Sequence, residues 1–284
     1  MTPLSPTVRR RRLTAELRRL REESGQTIDM VAEKIGTSKS ALSRIENGLV
    51  AVKLPVLRAL LAEYQVSEER QLSLEQLARE ASQKGWWQVV AGNVPSNEYK
   101  TLVGLEAESS WENYFSATVI TGLLQTEDYA QAVLKAVLPD VTEEDIQQAL
   151  KFRIRRQERL GDLRLWMILA EEHLTRPVGG SRTMRRQIEH LIAASNDRGI
   201  TVQIIGREAG AYIGMSGGFT VVGLEPQSPE AVYIEGNGWD ACVEDPEQLA
   251  RYMRSFELLR AVALSPEQSR LRMSELAEGH VSDD

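Results

Sequence analysis

The glycine-punctuated residues 25–48 constrain the fold of this chain more than any other segment. Thr27 precedes an apolar set at helical spacing, and Gly36 ends that set after about two turns. Ser38 then begins a second short segment that ends at Asn47-Gly48. Thr and Ser are favoured N-caps, and glycine is favoured just beyond a helix end. The pattern therefore predicts two short helices joined by a tight turn.

Helical periodicity continues on both sides of this pair. Leu13 and Leu17 share one face of a helix before the pair, and Pro55 suits the first turn of a helix after it. A fifth, more polar helix is predicted over 67–82. We therefore expect residues 1–82 to form an all-α helix-turn-helix domain with five helices.

The second helix of such a pair lies in the major groove of DNA. Here that helix is expected over Ser38–Asn47, with Leu42 and Ile45 pointing inward. The residues left outward supply hydrogen-bond donors and acceptors for base edges and phosphates, and they are Lys39, Ser40, Ser43, Arg44 and Asn47. The alternative interpretation is a small helical protein-binding domain with a polar surface.

The stretch GQTIDMVAEKIGTSKSALSRIENG, residues 25–48, resembles the Xre-type, lambda-repressor-like family. The resemblance implies a five-helix fold that binds inverted-repeat DNA as a dimer. It implies base-facing or neighbouring positions for Thr37, Lys39, Ser40 and Ser43, and DNA backbone contacts for Arg44 and Asn47. Thr27 and Ser38 complete the expected DNA-binding set. The chain departs from the family at Ile28, where Gln is frequent, and at Met30, where a capping Glu is usual.

Charge is divided unevenly along the chain. The net charge of −7 alone argues against nucleic-acid binding. However, residues 1–60 hold 12 Lys/Arg against 6 Asp/Glu, whereas residues 61–284 hold 22 Lys/Arg against 35 Asp/Glu. This asymmetry favours a basic module that meets a polyanion, attached to an acidic body. Arg9, Arg10 and Arg12 are candidates for contact with DNA phosphates, and the alternative for them is a solvated helix start.

The pattern changes after Lys84-Gly85. Residues 105–134 are predicted to be mostly helical, and short apolar runs typical of buried strands follow at 163–169, 200–205, 219–222 and 231–234. We therefore expect residues 83–277 to form an α/β (α+β) domain with a small sheet, which serves regulation, dimerisation or partner binding. A tail is expected at 278–284.

Several segments of this second domain resemble the C-terminal domain of actinomycete WhiJ-like regulators, which are described as antitoxin-like. They include WENYFSATVITGLLQTEDYAQAVL at 111–134, RIRRQERL at 153–160 and LAEEHLTRPVGG at 169–180. In that family the regulator gene commonly neighbours a gene for a very small acidic protein, which is regarded as its partner. The resemblance therefore implies a transcriptional regulator modulated by such a partner.

One group of arginines is a candidate contact for an acidic partner. The group comprises Arg153, Arg155, Arg156 and Arg159. The alternative is that these arginines pair with neighbouring glutamates.

Signatures of other protein classes are missing from the sequence. The three histidines show no metal-binding spacing, no GxSxG elbow occurs, and Cys242 stands alone. We therefore expect no enzyme, no catalytic residue, no metal and no cofactor. No signal peptide and no apolar run of membrane-spanning length is found, which predicts a cytoplasmic protein without membrane contact. The resemblance to DNA-binding regulators further implies a nucleoid-associated homodimer. The competing function is an antitoxin-type interaction module that mainly neutralises a small partner.

Overall fold

The computed structural model of the chain describes residues 6–82, 97–116, 118–138, 140–224, 229–236 and 239–280. The chain divides into two compact units, Met1–Val89 and Val90–Asp284. The domain junction predicted after residue 82 borders residues 83–96, which lie outside the described residues.

The N-terminal unit consists of helices, as the sequence predicted. They are α1 (Pro6–Glu23), α2 (Ile28–Lys34), α3 (Lys39–Glu46), α4 (Leu54–Glu63) and α5 (Glu68–Ala81). One apolar core joins all five, because α1 contributes Leu13, α2 Val31, α3 Leu42, α4 Leu57 and α5 Leu74. Burying one such leucine side chain is worth about 1.5–3 kcal/mol.

The C-terminal unit is an α/β domain with a six-stranded mixed sheet, which confirms the predicted fold class. Its strands are β1 (Trp111–Ser116), β2 (Arg164–Ala170), β3 (Ile200–Ile205), β4 (Phe219–Gly223), β5 (Ala231–Gly236) and β6 (Trp239–Val243). The spatial order is β3-β2-β1-β4-β5-β6. The first three strands are parallel, and β4, β5 and β6 each pair antiparallel with the preceding strand in that order.

The C-terminal unit also contains seven described α-helices, and helices lie on both faces of its sheet. They are α6 (Asn97–Glu106), α7 (Glu127–Val137), α8 (Glu143–Arg156), α9 (Glu172–Thr175), α10 (Ser181–Ala194), α11 (Pro246–Val262) and α12 (Pro266–Gly279). One face packs Phe115 and Val221 against Phe256 of α11. The other face packs Met167 against α10 and against Met273 of α12.

The prediction of a mostly helical region over 105–134 is wrong in its first part, because β1 lies there. This strand carries Glu112 and Asn113 between its apolar residues, and therefore lacks the continuous apolar run expected of a buried strand. The apolar runs predicted to be strands also did not include β6, which is an edge strand of the sheet. The sheet consequently has two more strands than the sequence pattern indicated.

The first residues of the predicted tail at 278–284 belong to a helix or pack against the protein. Helix α12 continues to Gly279, and the ring Nε2 of buried His280 lies 2.7 Å from the carbonyl oxygen of Leu174. Residues 281–284 lie outside the described residues.

Candidate nucleic-acid interface

Side-chain caps fix where α2 and α3 begin. Thr27 Oγ1 accepts a hydrogen bond from the Met30 amide at 3.3 Å, and Ser38 Oγ accepts one from the Ala41 amide at 3.1 Å. These hydroxyls satisfy amide groups that would otherwise lack partners in the first helical turn. Thr27 and Ser38, both predicted for the DNA-binding set, therefore have a positioning role in the free protein.

The turn between α2 and α3 depends on a left-handed residue. Gly36 has φ of +69°, a conformation that glycine adopts without steric cost. The following amide, that of Thr37, donates to the carbonyl of Ala32 at 2.9 Å, which closes the end of α2. The chain is thereby turned into α3 within a few residues.

Helix α3 buries one face and exposes the other. Leu42 is fully buried and Ile45 is 6% exposed, as the spacing predicted. Lys39, Ser40, Arg44 and Asn47 are exposed on the outer side, and Thr37 and Ser43 are partly exposed. The candidate residues of this segment therefore lie together on one accessible polar surface, which we call the α3 face.

A buried ion pair anchors the end of α3 to α1. Glu46 is 5% exposed, and its Oε1 and Oε2 accept from Arg21 Nε at 2.8 Å and Nη2 at 3.0 Å. Arg21 Nη1 also donates to the carbonyl of Gln26 at 3.2 Å, and its carboxylate partner raises the pKa of the guanidinium. The pair therefore fixes the positions of three segments relative to one another: α1, α3, and the residues that precede α2.

Arg18 of α1 lies beside the α3 face, and the sequence pattern did not identify it. Its Nη2 donates to Asn47 Oδ1 at 2.7 Å, and Asn47 Nδ2 donates to Ser43 Oγ at 3.3 Å. This chain of hydrogen bonds fixes the orientation of the Asn47 amide. Arg18 and Asn47 are 29 residues apart, so no local spacing could have indicated the contact.

Lys39 is held by an acidic neighbour in the free protein. Its Nζ lies 2.7 Å from Asp29 Oδ2, and the two side chains are 67% and 61% exposed. Exposed ion pairs contribute little to stability. Lys39 can therefore exchange this carboxylate for another anion at small cost.

The arginines at the start of α1 do not share one environment. Arg9 is 8% exposed and its Nε lies 3.1 Å from Glu80 Oε2 in α5. The reason is helical spacing, since Arg9 stands four residues before buried Leu13 and shares its face. The prediction of a phosphate contact is therefore corrected for Arg9, whereas Arg10 is partly exposed and Arg12 is exposed.

The basic group in the C-terminal unit is also divided. Arg156 is 4% exposed, donates Nε and Nη2 to the buried Glu106 carboxylate, and donates Nη1 to Tyr99 Oη at 2.6 Å. The predicted contact of Arg156 with an acidic partner is therefore corrected: this arginine pairs with a glutamate inside the protein.

The other three members of this group lie nearer the surface. Arg153 Nη1 donates to Gln125 Oε1 at 2.6 Å. Arg159 Nη2 donates to the Ser109 carbonyl at 2.9 Å, and Arg155 is exposed. Arg155 is thus the most accessible of the predicted partner contacts.

Glu171, at the end of β2, is buried and joins two elements of the C-terminal unit. Glu171 is 1% exposed and accepts from Arg272 of α12 through Nη2 at 2.7 Å and Nε at 3.1 Å. This pair joins the end of β2 to α12 and lowers the pKa of the carboxyl.

Two capped helices joined by a glycine turn, with a polar outer face on the second, define a helix-turn-helix domain of the kind that DNA-binding regulators carry. A family profile described as "Helix-turn-helix domain" matches residues 12–72. A second profile, described as "Domain of unknown function (DUF5753)", matches residues 99–275, more than half of the chain, so the protein belongs to that family. No significant match is found among curated proteins or among solved structures.

Neither profile description names the Xre-type or WhiJ-like families, so those resemblances stay predictions. Within the described part of the chain, every helix is too short or too polar to cross a membrane.

Proposed function

We propose that this protein is a sequence-specific DNA-binding transcriptional regulator that acts by binding and not by catalysis. The observation that supports this most directly is the α3 face, where Lys39, Ser40 and Arg44 are exposed opposite buried Leu42 and Ile45. A helix presented in this way fits the major groove, where hydroxyl, ammonium and guanidinium groups discriminate base edges. A DNA target implies that the protein works in the cytoplasm, with the nucleoid.

The proposed roles follow from position along α3. Thr37, Lys39 and Ser40 stand at its amino end, which is the part that reads base edges in this geometry. Arg44 and Asn47 lie toward its carboxyl end and are assigned to the phosphate backbone. Arg18, already bonded to Asn47, is added as a further phosphate contact.

We propose that the regulator binds an inverted repeat as a homodimer. One recognition helix contacts only a few base pairs, which is too little for selectivity against the competing sites of a genome. Two copies related by a twofold axis double the sequence that is read.

The C-terminal unit is proposed to modulate DNA binding through an acidic protein partner. Its acidic composition disfavours direct contact with DNA, since residues 90–284 hold 30 Asp/Glu against 19 Lys/Arg. Exposed Arg155 supplies a positive charge for such a partner. The role of Arg155 is tested by a pull-down of the small acidic protein encoded by the neighbouring gene. The Arg155→Glu variant is compared with Arg251→Glu on α11. Equal recovery by both variants argues against this role.

The function is tested by selecting binding sites from a random duplex library with the full chain. We expect one enriched inverted repeat, and fluorescence anisotropy should show that Ser43→Ala with Arg44→Ala weakens its binding by roughly 100-fold, given about 1–3 kcal/mol for each good contact. Arg79→Ala is the matched control, because Arg79 is exposed on α5, which packs on α1 and α4. No enriched sequence, or equal losses in both variants, would contradict the proposal.

A further inference from the structure

A groove of about 410 Å³ opens on one face of the sheet in the C-terminal unit. Its floor is formed by the amino-terminal halves of β1 and β2 with the start of β3, and its wall by Met253 and Glu257 of α11. Pockets of roughly 300–1,000 Å³ commonly hold small organic ligands. The groove is therefore large enough for a compact molecule with one or two rings.

Strand register explains which side chains meet in this groove. Trp111 of β1 pairs with Arg164 of β2, and Trp166 pairs with both Asn113 of β1 and Thr201 of β3. Paired residues in neighbouring strands project to the same side of a sheet. Two indole rings, one guanidinium and two hydrogen-bonding side chains are thus presented on the same face.

The indole of Trp166 is held in place from two directions. Its Nε1 donates to Gln203 Oε1 at 2.7 Å, and Gln203 Nε2 donates to the carbonyl of Leu264 at 2.7 Å. The guanidinium carbon of Arg260 lies 3.8 Å from the centre of the Trp166 ring system. A preoriented aromatic surface loses little freedom when a flat ligand packs on it.

The acidic side chain in the wall of the groove is already neutralised. Both carboxylate oxygens of Glu257 lie 2.8 Å from Arg260 Nη1, and the same guanidinium stacks on Trp166. Glu257 therefore adds little negative potential at the groove.

Two arginines at the rim have no carboxylate partner among the described residues. They are exposed Arg164, the first residue of β2, and exposed Arg198, two residues before β3. Strands β2 and β3 are adjacent and parallel, and the Leu165 amide donates to the Gly199 carbonyl at 2.8 Å. Both arginines therefore lie at the end of the sheet where these two strands begin.

The acids closest in sequence to these arginines are engaged elsewhere. Asp162 Oδ2 lies 3.3 Å from Arg159 Nη1, and Asp197 Oδ1 accepts from the Gly199 amide at 2.8 Å. Neither carboxylate therefore forms an ion pair with Arg164 or Arg198.

We propose that this groove binds a small organic anion with a flat aromatic body, such as an aromatic carboxylate. The half-buried indole of Trp166 receives the ring above Trp111, which is 8% exposed and belongs to the floor of the groove. Asn113 and Thr201 offer hydrogen bonds, and Arg164 and Arg198 pair with the anionic group. Stacking on indole and charge-assisted hydrogen bonds to guanidinium are the two interactions that favour this class over neutral or cationic aromatics. The inference concerns only the C-terminal unit and does not depend on DNA binding.

Calorimetric titration of the full chain with three matched probes tests the proposal: indole-3-acetate, indole-3-acetamide and tryptamine. Indole-3-acetate should bind with a submillimolar constant, the neutral amide about tenfold more weakly, and the cationic amine without detectable heat. Acetate, which carries the charge without the ring, should also bind at least about tenfold more weakly. The charge-assisted hydrogen bonds that the amide and the amine cannot accept justify differences of this size.

Substitutions at the rim then locate the site. Arg164→Gln and Arg198→Gln should each weaken indole-3-acetate binding by five- to tenfold, whereas Arg251→Gln on α11, the same charge change at an exposed site outside the groove, should leave it unchanged. The signal of the Trp166 indole N–H in NMR spectra should shift on titration. No binding of indole-3-acetate, equal binding of acid and amine, or equal effects of all three substitutions would each overturn the proposal.

Discussion

Asp29 places a negative charge on the surface proposed to face DNA, with its Oδ2 2.7 Å from Lys39 Nζ. Asp29→Asn removes this charge and releases Lys39. We expect roughly fivefold tighter binding to duplex DNA of random sequence, since one unit charge at about 4 Å in water is worth about 1 kcal/mol. Anisotropy titration measures the effect.

Glu69→Gln on α5 is the control for this change, because it removes an equally exposed carboxylate on a helix that packs on α1 and α4. Unchanged or weaker DNA binding by Asp29→Asn would contradict the proposed contact of Lys39 with DNA.

Glu46 is a buried polar residue that links α3 to α1. Glu46→Gln leaves Arg21 without its carboxylate, and breaking a buried pair by removing one partner costs about 3 kcal/mol. Hydrogen exchange of the α3 amides in the full chain should therefore lose roughly 100-fold of its protection.

Glu22→Gln is the matched control, since exposed Glu22 lies 3.6 Å from the same guanidinium. Equal protection in wild type and Glu46→Gln would show that packing alone holds α3.

Elements with strong local signals were the ones that the sequence predicted well. Thr27 and Ser38 cap the first turns of α2 and α3, as the sequence predicted. Strand β1 was not predicted because Glu112 becomes buried only through the pairing of β1 with β2 and β4, which are distant in sequence. The pairs of Arg18 with Asn47 and Arg21 with Glu46 were missed for the same reason, since each joins separate helices.

Glu112 makes the stability of the sheet depend on pH. Its side chain is fully buried in β1, and burial, followed by the nearby Glu106 carboxylate, raises its pKa well above the ordinary value. Between the ordinary pKa of about 4.3 and the raised value, the folded state binds more protons than the unfolded state. Stability contributed by protonated Glu112 is therefore present below that window and is lost as the pH rises through it.

We expect Glu112→Gln to remove this pH dependence. The C-terminal unit of the variant should lose less stability than wild type between pH 5 and pH 8, measured by thermal unfolding of the full chain at both values. Glu278→Gln, an exposed position on α12, should behave as wild type. A variant whose pH profile matches wild type would show that Glu112 does not titrate in this range.

At the scale of the whole molecule, the proposed dimer sets the geometry of the DNA site. Two α3 helices that enter successive major grooves on one side of the duplex are about 34–36 Å apart, so half-sites should be centred roughly one helical turn apart. Hydroxyl-radical footprinting of the selected operator should show protection symmetric about its centre, and light scattering should give twice the chain mass. A monomer that protects a single half-site would contradict the dimer.

The uneven charge along the chain predicts how salt acts on DNA binding. Residues 1–60 carry twice as many basic as acidic side chains, whereas the remainder is acidic, so phosphate contacts should come from the N-terminal unit alone. Each contact releases condensed cations and adds about 0.9 to the slope of log affinity against log salt concentration. Arg44→Gln and Arg18→Gln should therefore each lower the slope by roughly 1, and the control Arg79→Gln should leave it unchanged. A slope that all three variants share with wild type would show that the α3 face does not meet the phosphate backbone, since a lost contact must lower the number of ions released.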